Sequence, residues 1–141
     1  MDLSAVAAWL QHNASMRPVE DANNYVMTSE GIVCTVMPQS ELGRELISDV
    51  FEIGSSASVV CQIDKFEHYA AGMEHLLHLC VALLTKLSCD MVMLSNGERG
   101  LAFRRQGRVY VDCREKYWQA KWREALSGVG IPFVERDLPS L

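Results

Sequence analysis

Between Phe66 and Leu87 apolar side chains recur at spacings of three and four: Phe66, Tyr69, Ala70, Met73, Leu76, Leu77, Cys80, Leu83, Leu84 and Leu87. A stripe this wide and long suits a core helix lying against a sheet, so the remaining sequence must supply that sheet. The pattern predicts a central helix from Asp64 or Lys65 to about Ser88. The chain beyond it is β in character. Met91 to Leu94 reads as a buried strand, and Asn96-Gly97 is the preferred sequence of a two-residue hairpin turn. Gly100 to Arg105 is the partner strand, and Gln106-Gly107 turns the chain into Arg108 to Asp112. The helix thus leads into a three-strand meander.

The preceding half is shorter-ranged. Leu3, Val6, Ala7 and Leu10 predict a first helix within Leu3 to Met16, ended by Pro18. Tyr25-Val26-Met27 and Ile32 to Val36 flank Ser29-Glu30-Gly31 as a hairpin. Ser40 is placed to cap a second helix, with Leu42, Leu46 and Ile47 on its inner face. Glu41, Glu45 and Asp49 fall four apart on the opposite side, and Gly43 costs this helix about 1 kcal/mol relative to alanine. Ser58 to Ile63 is a further strand. Glu115 to Leu126 forms a last helix carrying Tyr117, Trp118 and Trp122, and Ile131 to Val134 is an extended tail. The expectation is an α+β fold: an antiparallel sheet of two hairpins or a meander, packed on a long central helix, with shorter N- and C-terminal helices. A chain of 141 residues fits one domain, residues 1–141.

Composition removes several classes of function. Residues 1–17 lack a basic segment leading into an unbroken apolar run, so no signal peptide is expected. No stretch reaches the roughly 18 consecutive apolar residues of a membrane span. Cys34, Cys61, Cys80, Cys89 and Cys113 are odd in number and never spaced C-x-x-C, as in a reduced, cytoplasmic protein. The net charge of −5 conceals an asymmetry: residues 1–98 hold 4 Lys/Arg against 13 Asp/Glu, whereas residues 99–123 hold 8 against 2. An acidic majority disfavours nucleic acid and suits a basic protein partner. The basic stretch, Arg99 to Arg123 with Tyr110, Tyr117, Trp118 and Trp122 among its charges, is read as structural, paired internally with the acidic half.

No catalytic pattern emerges. His75 and His78 are three apart, whereas the zinc-protease helix needs H-E-x-x-H. Glu74 is better placed to pair with His78, and His68 shares the outer edge with His75. The sequence has neither a G-x-S-x-G elbow nor a G-x-G-x-x-G or G-x-x-x-x-G-K phosphate loop. Asp64 and Glu67 sit where the helix dipole favours acids without catalysis. No enzyme, metal or cofactor is expected.

The run Gln62-Ile63-Asp64-Lys65-Phe66-Glu67-His68-Tyr69, then Leu83-Leu84, then Cys89 to Glu98, Leu101 to Val109 and Ile131-Pro132-Phe133 through Leu138-Pro139 resembles the immunity proteins of the Sit (swarming-inhibition toxin) type. The similarity covers about Phe51 to the C-terminus. Ser95 departs from that family's usual aromatic, and Cys89 from its usual glycine. The resemblance implies a cytoplasmic protein that neutralises a cognate bacterial toxin by stoichiometric binding, without catalysis. Glu41, Glu45, Asp49 and Glu52 are the first candidates for toxin contact, and the turn at Asn96 and Glu98 the second. Two alternatives remain: a small chaperone or adaptor for a secreted effector, and a small enzyme built around His68, His75 and His78.

Overall fold

The computed structural model describes residues 2–19 and 25–141. In chain order the elements are α1 (Leu3–Asn13), β1 (Arg17–Val19), β2 (Tyr25–Ser29), β3 (Ile32–Pro38), α2 (Glu41–Phe51), β4 (Ala57–Ile63), α3 (Tyr69–Lys86), β5 (Met91–Ser95), β6 (Arg99–Arg105), β7 (Arg108–Asp112), α4 (Lys116–Gly128) and β8 (Val134–Arg136). The fold is α+β, with the strands forming two four-stranded sheets. The chain divides into two compact units, Met1–Gln39 with Ser56–Ala82, and Ser40–Ser55 with Leu83–Leu141.

The first unit is an antiparallel meander, β1-β2-β3-β4, and α1 lies against β2 and β3. Asp2 caps α1 by accepting from Ala5 N at 2.7 Å, which satisfies one of the open donors of a helix start. Alternation along β3 sends Ile32, Cys34 and Val36 into the core, with Met27 of β2 beside Cys34 in register. Pro18 does not simply end α1. It lies in edge strand β1, opposite Met27, where a missing N–H is tolerated.

The central helix starts later than its apolar pattern suggests. Asp64 Oδ1 accepts from Phe66 N at 2.9 Å, and this local turn competes with the helix. Phe66 is left 93% exposed, and α3 begins at Tyr69, itself half exposed. Leu79, Cys80 and Leu84 are the buried large side chains of α3, so its inner face is narrower than the stripe.

The start of α3 is fixed by a close backbone approach. Gly31, in the β2–β3 turn at φ +77°, lies so near Gly72 that a Cβ on either would strike the other's backbone; one on Gly72 would also meet Ile63 Cγ2 at 2.7 Å. His75 Nδ1 donates to Glu30 O at 2.7 Å, and His68 Nδ1 stands 3.4 Å from the Glu30 carboxylate. Gly72→Ala is therefore expected to destabilise the protein by about 1–3 kcal/mol through overpacking, read as a lowered urea midpoint with unchanged m.

The second unit holds β5-β6-β7 as an antiparallel meander, joined by β8 parallel to β7. The tail is thus a strand, and α4 provides the helical crossover that a parallel pair requires. One sheet face carries Phe103 and Tyr110, stacked at 4.7 Å, into a core with Ile47, Phe51, Ile53 and Leu138. On α4, Trp118, Trp122 and Leu126 are buried, and the helix lies against β7. Glu135 of β8 ties that helix down by accepting from Arg123 and, at 3.0 Å, from Gln119 Nε2.

The Arg123 bond holds the Glu135 carboxyl below its ordinary value of 4.5, with Gln119 adding to the effect and partial burial opposing it. A depressed folded pKa contributes stability above the unfolded value, and that stability is lost as pH falls through the folded value. Stability should therefore decline below about pH 4.5, and Glu135→Gln should flatten that part of the curve, as measured by thermal unfolding across pH.

Candidate functional site

The first sequence candidates lie on α2, whose phase is set at its start. Ser40 Oγ accepts from Gly43 N at 3.0 Å, and Glu41 stands in the first turn, where the helix dipole favours a carboxylate. Ile47 and Phe51 form the buried face, with Val50 partly buried beside them. Glu41, Glu45 and Asp49 lie on the opposite, exposed side. Among the described residues none of these three carboxylates has an ion-pair partner.

Two details differ from the sequence expectation. Leu42 and Leu46 are not on the inner face: they are 66% and 38% exposed and flank the acidic row. Leu42 lies five residues before Ile47, more than a third of a turn away from it around the helix, so Ile47 and Phe51 cannot be buried together with Leu42. The signal available in the sequence was the Ile47–Phe51 pair at four-residue spacing. Glu52, the fourth acidic candidate, closes α2 in the left-handed conformation at φ +57° and pairs with Arg105 Nη1 at 2.7 Å. The same nitrogen donates to Phe51 O at 3.3 Å. Glu52 therefore anchors the end of α2, and its charge is already matched.

The second candidate is the β5–β6 turn. Asn96 and Gly97 both take positive φ, +54° and +71°, as the Asn-Gly sequence demands. Their side of the turn is exposed, with Glu98 alongside. Glu98 O accepts from the backbone N–H of Leu141 at 2.8 Å, so the C-terminal tail braces the turn. Nearby, the fully buried Asp112 accepts from Leu138 N at 3.1 Å and Arg114 Nε at 2.9 Å, which holds the same tail in place. Val50 of α2 and Leu94 of β5 pack on one core, so both candidates rest on the same packed cluster.

The arginines of the basic stretch are largely engaged, though mostly not with the acidic half. Arg99 pairs with Glu115 at 2.8 Å, Arg114 with Asp112, and Arg123 with Glu135; among the described residues only Arg105 forms an ion pair with an acid of the acidic half, Glu52. Arg104 is buried and donates to the carbonyls of Leu84 and Leu87, closing the end of α3. The histidines His68 and His75 serve the Glu30 turn, and no Glu74–His78 pair occurs among the described residues. Among these residues no group of three His, Cys, Asp or Glu is arranged to hold a metal ion. No helix among them is long and apolar enough to cross a membrane.

A family model described as SitI3-like matches residues 1–122. The match reaches further toward the N-terminus than the motifs beginning at Phe51, and stops short of β8 and the tail. No curated protein and no solved structure matches the chain.

Proposed function

The chain belongs to the SitI3-like family, and from that premise we propose that it is an immunity protein, one that binds a cognate toxin domain stoichiometrically and blocks it without catalysis in the bacterial cytoplasm. The family name supports the class, and the outer face of α2 is the observation that carries the mode of action. Glu41, Glu45 and Asp49, three carboxylates that make no ion pair among the described residues, stand beside two exposed leucines, Leu42 and Leu46. Unpaired acids steer a basic partner into place, and exposed leucines supply the apolar area that holds it. A helix offering both suits a basic groove lined with apolar side chains, such as the substrate cleft of a nuclease-type toxin. The Asn96–Glu98 turn would add a second, smaller contact within a standard interface of about 1,600 Å².

Co-expression with the product of the neighbouring gene, the expected toxin, tests the reading. Growth should stop with the toxin alone and recover when this chain is present. A neighbour that is harmless alone, or equally lethal with the chain present, would remove the proposal.

A further inference from the structure

We propose that Cys34 and Cys61 form an oxidant-reactive dithiol, which a peroxide closes to a disulfide across the β3–β4 ladder. The two residues are direct partners in the antiparallel register, and their sulfurs lie 2.7 Å apart. Paired residues on such a ladder have Cα separations of about 4.5–5.5 Å, inside the span a disulfide bridges. Both thiols are free.

The two sulfurs have different roles. Cys34 is fully buried on β3, whereas Cys61 is half-buried on β4, a strand at the edge of its sheet. Cys61 is thus the sulfur that meets an oxidant. Its hydrogen bond with Cys34 holds the Cys61 thiol below its ordinary range against the opposing effect of burial, while the same bond and burial push Cys34 up. Cys34 keeps the proton and Cys61 carries the thiolate character that nucleophilic attack needs. Cys80, buried on α3 and pushed up to about 12 by desolvation, stays a thiol.

In the first step the Cys61 thiolate attacks one peroxide oxygen, the O–O bond breaks, and the departing hydroxide takes up a proton to leave as water. Cys61 is then a sulfenic acid. Cys34 sulfur attacks Cys61 sulfur, the S–O bond breaks, and the released hydroxide takes the Cys34 proton as a second water. Two thiols have lost two electrons and one peroxide has been reduced to two waters. The disulfide closes the segment from Cys34 to Cys61, which contains all of α2, with four residue pairs of the ladder between it and the Gln39 N to Ser56 O bond at the open end. This chemistry is independent of toxin binding.

The full chain would be treated with hydrogen peroxide, alkylated under denaturing conditions and peptide-mapped without reduction. The expected product is an intramolecular Cys34–Cys61 peptide, lighter by two hydrogens, with an unfolding temperature raised on the order of 10 °C and restored by dithiothreitol. In Cys34→Ser a dimedone adduct should accumulate at Cys61, and in Cys61→Ser none should form at Cys34. The proposal is overturned if Cys34 and Cys61 remain fully alkylatable while the exposed Cys89 is oxidised, or if the only disulfides link separate chains.

Discussion

Replacing Glu41, Glu45 and Asp49 together with lysine is expected to abolish protection while leaving the fold intact. The three side chains are exposed and, among the described residues, make no ion pair that the substitution would break, so the stability change should stay within about 0.5 kcal/mol per site. Binding is a different matter, because three attractive charges become three repulsive ones on the surface proposed to meet the toxin. A loss of at least about a hundredfold in affinity is expected, close to 3 kcal/mol. Leu42→Ala with Leu46→Ala on the same helix removes apolar contact but not steering. That pair should speed dissociation and leave the salt dependence of association alone. Circular dichroism and urea unfolding establish that each variant is folded, and surface-immobilised toxin measures the rates.

The largest stability effect is expected at Trp122. Its side chain is fully buried and stacked at 5.8 Å on Trp118 along the inner face of α4. Trp122→Ala removes a large apolar volume from a site without solvent access, at a cost of about 3–5 kcal/mol. That is a substantial share of the roughly 5–15 kcal/mol that holds an ordinary domain together. Among the described residues the indole N–H has no hydrogen-bond partner, so Trp122→Phe loses area but no bond and should cost distinctly less. Denaturant midpoints of the two variants, measured side by side, check both the magnitude and the order.

Much of this architecture was legible from local chemistry. Asn96-Gly97 and Gln106-Gly107 took the positive φ values their turns require, and Ser40 capped α2 as its position implied. The strands flanking those turns came with them, because a hairpin fixes its own register. Most of what local patterns missed depended on contacts distant in sequence. Leu42 and Leu46 looked inward by spacing, yet Ile47 and Phe51 are the residues that meet Phe103, Tyr110 and Leu138. Phe66 continued an apolar stripe, but a local turn at Asp64 delays the start of α3 to Tyr69. The tail became β8 only because α4 returns the chain alongside β7. Of the proposed contact residues, the exposure of Glu41, Glu45 and Asp49 could be read from the helix period. The pairing of Glu52 with Arg105 could not, since 53 residues separate them.

The most direct measurement is a calorimetric titration of this chain into the inactivated product of the neighbouring gene, the expected toxin, at low and at high salt. Toxin neutralisation through the α2 face requires a one-to-one complex with a Kd on the order of 10 nM or tighter. That complex should weaken as salt rises and be lost with the triple lysine variant. Absence of binding at micromolar concentrations would contradict the function itself. Tight binding that the lysine variant retains would leave the immunity role standing and move the interface away from α2.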